Sequence, residues 1–166
     1  LSFDFGPYEP VTVLDDAGTD YVTVYENARL GDATAVGEGA DVLSFDTETT
    51  SVESMEAELV GIALSRQEDS AVYLPTPLPD GTPTETAVEA VRAMLENEAL
   101  PKVGHNVKYD LVVMARHGVR VRGPIFDTMV AHYLINPEAS HKLDDVSSFH
   151  LNYRPQPITD LIGTDK

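Results

Sequence analysis

Short runs of apolar, β-branched and aromatic residues alternate with polar connections over the first 75 residues, a pattern typical of β-strands. The run at 42–48 starts apolar and ends polar, which predicts a buried strand that runs out to the edge of its sheet. The other segments of this half predict strands at 21–25, 59–64 and 71–74, a loose helix within 26–41, a turn-rich loop at 75–83, and a linker or arm at 1–20.

Helical spacing replaces this pattern in the second half. Val88, Val91 and Leu95 recur every three or four positions, so they predict a helix over 85–98 with one apolar face. The remaining segments predict helices at 106–117, 127–135 and 143–150, short strands at 102–104 and 119–121, and a terminal loop at 153–166. Strands followed by alternating helices and strands predict an α/β fold with a mixed central β-sheet flanked by α-helices.

Composition narrows the class of protein. Hydrophobic residues make up 42% of the 166 residues, enough for a folded core. No apolar run approaches the length of about 20 residues that a membrane span needs. The chain has no cysteine, which excludes disulfides, zinc–thiolate sites and iron–sulfur clusters. Because the sequence also shows no signal peptide, we expect a cytoplasmic protein without a membrane partner.

The charge of the chain is unusual. Asp and Glu number 28 against 11 Lys and Arg, giving a net charge of −17. Taken alone, that charge argues against a nucleic-acid partner, and it is typical of proteins from high-salt cytoplasms. Five of the eleven basic residues nevertheless lie between positions 102 and 122, around the single acid Asp110, and on charge alone they predict a solvated helix face. These five, the basic segment, are Lys102, Lys108, Arg116, Arg120 and Arg122.

Asp46 and Glu48 form the first candidate site. Side chains alternate along a strand, so these two carboxylates, separated by Thr47, project from the same face. They repel each other there, and a cation between them would relieve the repulsion. Oxygen ligands of this kind suit Mg²⁺ or Mn²⁺. The alternative is two solvent-facing acids in a turn, because an Asp-x-Glu pair is common.

Asn106 and Asp110 form the second candidate site. They lie four positions apart at the start of a predicted helix, so they share a face. One interpretation is structural, with Asn106 capping the helix and Asp110 complementing its dipole. The other is that Asp110 reaches a metal held by the first pair, if the two strands are neighbours. A third acid, Asp127, is expected to cap the helix that follows it.

Several segments, taken in order, resemble the 3′–5′ exonuclease domain of bacterial DNA polymerase I, the family A polymerases. The segments are 45–49 (FDTET), 103–110 (VGHNVKYD), 123–129 (GPIFDTM), 133–136 (YLIN) and 141–144 (HKLD). The resemblance covers roughly residues 20–162. It implies a ribonuclease-H-like fold, which agrees with the mixed sheet predicted from the hydrophobic pattern.

The resemblance also implies roles for individual residues. Asp46 would bridge two divalent ions, Glu48 would bind the ion that activates water, and Asp110 would hold the second ion, directly or through water. Val52 matches an apolar residue that wedges against the 3′ base. Four further residues would lie near the terminal nucleotides: Asn106, Lys108, Tyr109 and His105, the last of which stands where the family often has a glutamine.

These roles together imply two-metal hydrolysis of the 3′-terminal phosphodiester of DNA. The expected cofactor is Mg²⁺ or Mn²⁺, and the expected partner is a single-stranded or frayed 3′ DNA end, with the basic segment guiding the strand. The family's third motif, Tyr-x-x-x-Asp, does not occur in the sequence. We therefore expect a domain over 21–166 that stops before this motif and has weak or no nuclease activity. A polymerase domain is expected downstream, in a bacterial, nucleoid-associated protein.

Two alternatives stay open. A 3′–5′ RNA exonuclease similar to ribonuclease D would use the same chemistry on RNA, and a non-catalytic domain would only brace a polymerase. The sequences of the segments 103–110 and 126–136 favour DNA polymerase I over the first alternative. The presence of Asp46, Glu48 and Asp110 argues against the second.

Overall fold

The computed structural model describes residues 11–14, 20–25, 30–37, 39–68, 70–78 and 80–155. The chain divides into two compact units, residues 1–126 and 127–166. None of the described helices combines the length and the apolar content that crossing a membrane requires. Most of the predicted arm at 1–20, and most of the predicted terminal loop at 153–166, lie outside the described residues.

A single mixed β-sheet organises the first unit. Its strands are β1 (Val11–Leu14), β2 (Asp20–Tyr25), β3 (Leu43–Thr49), β4 (Leu59–Gln67), β5 (Ser70–Pro75), β6 (Lys102–Gly104) and β7 (Ile125–Asp127). Their order across the sheet is β1-β2-β5-β4-β3-β6-β7. The pairs β2–β5 and β3–β6 are parallel, whereas β1–β2, β3–β4 and β4–β5 are antiparallel. The predicted mixed sheet is therefore confirmed.

Three helices accompany this sheet: α1 (Leu30–Gly37), α2 (Thr84–Leu95) and α3 (Val107–Arg116). The predicted apolar face of α2 is correct, because Val88, Val91 and Leu95 are all buried in the core. The helix ends three residues before the predicted position 98. The reason is that the Leu95 carbonyl accepts a hydrogen bond from Arg122 N–H (3.0 Å), a residue of the connection that follows α3.

The structure contradicts the sequence-based prediction at two short strands. Residues 119–121 do not form a strand, because Gly118 and Val119 end α3: their N–H groups donate to the carbonyls of Ala115 and Met114, both at 3.0 Å. With Gly118 at a φ of 77°, this is the common glycine-terminated helix end, and the Val119 side chain is buried in the core. A strand occurs instead at β7. Residues 11–14, assigned to the arm, form β1 and pair with β2.

The position of β3 between β4 and β6 determines where the candidate residues meet. Leu43, Phe45 and Thr47 are buried, whereas Asp46 and Glu48 point to the other face of the strand. β6 runs parallel to β3, so the helix that follows it, α3, begins beside the carboxyl end of β3. This end of a parallel pair is where α/β sheets usually bind ligands.

The second unit contains α4 (Thr128–Ile135) and α5 (Leu143–Leu151). The expected capping role of Asp127 is confirmed: its Oδ1 accepts hydrogen bonds from the N–H groups of Met129 (2.9 Å) and Val130 (3.3 Å). Within this unit, the Nδ1 atoms of His132 and His141 lie 2.8 Å apart, so one imidazole donates to the other.

Candidate active site

Asp46 and Glu48 lie on one face of β3, as the alternation of the strand predicts. Across the antiparallel pairing, Asp46 stands opposite Ala63 and Glu48 opposite Gly61 of β4. Two of the smallest side chains therefore flank the two carboxylates. Neither side chain therefore projects far from β4 beside the acids.

Asp110 joins this pair through Thr47, the residue that separates the two acids. The Asp110 carboxylate is only 2% exposed, and its Oδ1 accepts hydrogen bonds from Thr47 N–H (2.9 Å) and from the Thr47 hydroxyl (2.6 Å). The structure thus brings all three predicted carboxylates together. The capping interpretation of Asn106 is wrong: it stands at the N-cap position with a φ of 61°, and its side chain makes no capping hydrogen bond.

The electrostatics of the three acids reflect their proximity. The pKa of Asp46 is raised from 3.8 to about 7, first by desolvation and then by the negative charges of Asp110 and Glu48. Such a site favours either a proton or a metal cation. Among the described residues, however, no three carboxylate or imidazole groups are already arranged to enclose a metal ion. Asp110 contributes to this, because its Oδ1 is directed at Thr47.

An open groove of about 620 Å³ lies next to Glu48. Its walls are the end of β3, the residues that follow it and the start of α3: Thr47, Glu48, Thr49, Thr50, Ser51, Val52, Asn106 and Tyr109. Val52 is 88% exposed at the rim. The volume is typical of sites for small organic ligands. Three of the predicted substrate-binding residues, Val52, Asn106 and Tyr109, therefore line one groove.

The other predicted contacts differ in their surroundings. Lys108 is exposed, and His105 is half-buried. The hydroxyl of Tyr109 makes hydrogen bonds with the Thr49 hydroxyl and the Ser51 carbonyl oxygen. Tyr109 thus connects α3 with the chain that leaves β3, in addition to lining the groove.

Most of the basic segment serves the fold. Lys102 is 1% exposed, and its ammonium donates to the carbonyl oxygens of Asn97 (2.5 Å) and Arg122 (2.7 Å), while burial lowers its pKa. Arg122 forms an ion pair with Glu98 at 2.8 Å. The guanidinium of Arg116 donates to backbone carbonyls of the loop after β3. All of these residues except Lys102 are exposed. The expected solvated helix face therefore describes Lys108 and Arg116 of α3, whereas Arg120 and Arg122 lie beyond the end of that helix.

Two residues near the site were missed in the sequence. Thr47 was treated only as a spacer, although it binds Asp110. Tyr73 of β5 leans across β4 over Gly61: a Cβ on that glycine would lie 2.1 Å from the Tyr73 hydroxyl oxygen. The pKa of Tyr73 is raised by burial and by the charge of Glu48, so the phenol lies within the field of the site. The Gly61 position between apolar strand residues was the available signal, since such glycines mark close approaches.

Comparison with known proteins identifies the family of this chain. A family model described as 3′–5′ exonuclease matches residues 21–156. DNA polymerase I of Chloroflexus aurantiacus is 32% identical over 158 residues, which cover 93% of this chain and 16% of that protein. DNA polymerase I of Rhizobium leguminosarum is 30% identical over 169 residues, which cover 88% of this chain and 16% of that protein. The chain thus spans about a sixth of the length of these curated relatives.

Solved structures share the fold at lower sequence identity. Escherichia coli RNase D, an exoribonuclease, superposes with a TM-score of 0.59 and 16% identity, over 82% of this chain and 34% of that one. Brucella melitensis NrnC with bound Mg²⁺ superposes with a TM-score of 0.58 and 20% identity, over 72% and 58% of the two chains. The predicted ribonuclease-H-like fold is confirmed.

The fold places the chain in the ribonuclease-H-like class. Within that class, the chain belongs to the 3′–5′ exonuclease family of the family A DNA polymerases, as the domain of bacterial DNA polymerase I does. The family match and both relatives favour this assignment over the ribonuclease D-like alternative.

Proposed function

We propose that Asp46, Glu48 and Asp110 bind divalent cations, Mg²⁺ or Mn²⁺, and that the domain removes nucleotides from the 3′ end of DNA. The observation that carries this proposal is the convergence of three carboxylates from β3 and α3. Desolvation, and then the charges of Asp110 and Glu48, raise the pKa of Asp46 to about 7. A bound divalent cation would supply the positive charge that these acids lack.

The donor set fits hard divalent cations, which take carboxylate and water oxygens. Asp46 has both other acids in its field and suits a bridging position. Oδ1 of Asp110 accepts two hydrogen bonds from Thr47, which hold this carboxylate beside the strand that carries the other two acids. When bound, the cations supply activation of water near neutral pH and charge neutralisation at phosphorus.

The groove beside the acids is the proposed seat of the 3′-terminal nucleotides. Val52 would pack on the terminal base, and Asn106, Tyr109, Lys108 and His105 would contact the nucleotides around it. Contacts to backbone and to base faces do not discriminate sequence, which suits an enzyme that trims any 3′ end. A single-stranded or frayed end is the form of DNA that enters an open groove with its bases unpaired.

The curated relatives that match this chain are DNA polymerase I proteins, of which the chain covers about a sixth. We therefore propose that the domain works as the proofreading part of such a protein, with a polymerase domain downstream, in a bacterial cytoplasm. The acidic composition is compatible with this role, because the bound cations would provide positive charge at the reacting phosphate.

The test measures, by fluorescence anisotropy with and without Mn²⁺, how tightly the chain binds a 5′-labelled oligonucleotide with a free 3′ hydroxyl. We expect Mn²⁺ to strengthen binding of single-stranded DNA, and Glu48→Gln to remove that gain. Glu85→Gln, which removes an exposed acid at the start of α2, is the matched control and should retain it. Preferential binding of RNA of the same sequence would favour the ribonuclease D-like alternative, and no metal-dependent binding of either would contradict the proposal.

A further inference from the structure

The chain between β3 and β4, here named the β3–β4 loop (residues 50–58), is held by its own hydrogen bonds. Thr50 N–H donates to the Glu58 carbonyl, and Glu58 N–H donates to the Thr50 hydroxyl, both at 3.0 Å. At the turn, the N–H groups of Glu56 (2.8 Å) and Ala57 (2.9 Å) both donate to the Glu53 carbonyl. The two ends of the loop are thereby joined and its tip forms a helical turn.

Side chains from α3 hold this loop at three more points. The Tyr109 hydroxyl donates to the Ser51 carbonyl. The Arg116 guanidinium donates to the carbonyl of Ser54 (3.0 Å) and to that of Ala57. Tyr109 and Arg116 are seven residues apart, so they project from the same face of α3 two turns apart. One face of α3 therefore forms hydrogen bonds with the loop near its start and around its tip.

The β3–β4 loop exposes two apolar side chains. Val52 is 88% exposed and Met55 is 69% exposed, although each has an apolar side chain that water solvates poorly. Val52 lines the groove next to Glu48. Fixing the backbone on both sides of Val52 therefore fixes where this side chain stands relative to the carboxylates.

We propose that Arg116 is a positioning residue for the 3′-terminal nucleotide: it acts through the β3–β4 loop, by holding in place the segment that presents Val52 to the groove. The inference rests on the proposed function, since it concerns how that groove receives a DNA end. It assigns Arg116 a role different from the one expected for the basic segment. Arg116 binds carbonyls of its own chain and does not guide the phosphate backbone.

The physical reason is preorganisation. A loop that must become ordered when a ligand binds loses conformational entropy at that moment and weakens the complex. A loop that is already fixed does not incur this loss, and a small displacement of a positioning group is costly in a reaction that needs aligned atoms. Arginine suits the task because its planar guanidinium is always charged and presents donors in fixed directions.

The experiment compares Arg116→Ala, Arg116→Lys and the matched control Arg120→Ala, which removes the same charge from an exposed side chain beyond the end of α3. Two quantities are measured on the 166-residue chain. Amide hydrogen exchange reports the order of residues 50–58. Anisotropy reports the affinity for single-stranded oligo-dT in Mn²⁺ as a function of salt concentration.

We expect faster exchange across the loop and about tenfold weaker binding in Arg116→Ala, against a change of about twofold or less in Arg120→Ala. Arg116→Lys, which keeps the charge but not the fork of donors, should recover little of the affinity. The slope of affinity against salt should be unchanged, because no phosphate contact is removed.

Three results would overturn the inference. If Arg116→Lys binds as the parent chain does and Arg116→Ala lowers the salt slope, Arg116 contacts phosphate directly. If Arg116→Ala shows the amide exchange and the affinity of Arg120→Ala, the hydrogen bonds of Arg116 to the β3–β4 loop have no role in binding, while the proposed function stands. If the parent chain binds no oligonucleotide, the proposed function fails. The exchange data then report only on whether Arg116 orders the β3–β4 loop. The positioning role proposed for Arg116 fails together with the proposed function. Should Arg116→Ala not fold, Arg116→Lys carries the same comparison.

Discussion

Asp110 and Thr47 are joined by two hydrogen bonds, which bring a buried carboxylate of α3 against the middle of β3. One bond comes from the Thr47 peptide N–H (2.9 Å) and one from its hydroxyl (2.6 Å). Because Thr47 lies between Asp46 and Glu48, this contact sets how far the third carboxylate stands from the first two. A residue that is not one of the three acids therefore determines the geometry of the site.

Replacing the hydroxyl by a methyl group tests this contact. Thr47→Val keeps the shape of the buried side chain but removes one hydrogen bond to Asp110. We expect a loss of about 1.5–3 kcal/mol in the free energy of unfolding, the range for hydrogen bonds to charged groups. Urea unfolding measures it. Thr47→Ser, which keeps the hydroxyl, should lose less; equal losses in the two variants would mean that the hydroxyl is not what holds Asp110.

Changing Asp110 to asparagine separates its charge from its hydrogen bonds. The amide oxygen of Asp110→Asn can still accept from Thr47, so the fold should persist. The pKa of Asp46 should fall, because the Asp110 charge is the second cause of its rise after desolvation. Titration of the carboxyl carbon resonances by NMR gives this pKa directly. An unchanged pKa of Asp46 would show that the two acids do not interact.

The stability of the metal-free protein should depend on the protonation of Asp46. Its pKa is raised in the folded chain from 3.8 to about 7, so the folded state binds this proton more tightly than the unfolded state. The contribution is fully present below pH 3.8 and is lost as the pH rises through about 7. Thermal unfolding in EDTA across this range should show a smaller loss of Tm in Asp46→Asn.

The difference in Tm between the parent chain and Asp46→Asn is the informative quantity, because a net charge of −17 also destabilises the compact state as acids ionise. Glu85→Gln serves as the control for removing one acid. If its pH profile and that of Asp46→Asn coincide, the raised pKa of Asp46 has no effect on folding.

Gly61 and Tyr73 provide a test of the space beside Glu48. A methyl group in Gly61→Ala would meet the Tyr73 ring, so the ring must shift. We expect a loss of about 1–3 kcal/mol in unfolding free energy, as for other overpacked sites. Adding Tyr73→Ala to Gly61→Ala should remove that cost relative to Tyr73→Ala alone. Additive effects in this double-mutant cycle would mean that the two residues do not contact.

Local pattern was enough to predict the face shared by Asp46 and Glu48, the buried face of α2 and the cap at Asp127, because each depends on residues close in sequence. The approach of Asp110 was predictable only as a condition, that its strand neighbours β3. The parallel pairing of β3 with β6 fulfils that condition, but hydrophobic periodicity does not encode which strands pair.

The basic segment marks the opposite limit. Its composition predicted a solvated surface, yet the side chains of Lys102 and Arg116 donate hydrogen bonds to backbone carbonyls distant in sequence. Charge alone does not say whether a cation faces solvent or a carbonyl. In the same way, the apolar character of residues 119–121 predicted a strand, whereas the N–H of Val119 ends a helix and its side chain fills the core.

We propose that Asp46, Glu48 and Asp110 together form one divalent-cation site. Paramagnetic Mn²⁺ locates such a site, since it broadens the NMR signals of nuclei near the bound ion. In the parent chain, Mn²⁺ should broaden the amide signals of residues 46–48 and 110 first, and Asp46→Asn should abolish that selectivity while Glu85→Gln leaves it intact. Broadening spread over the other acidic residues, or unchanged in Asp46→Asn, would contradict the claim.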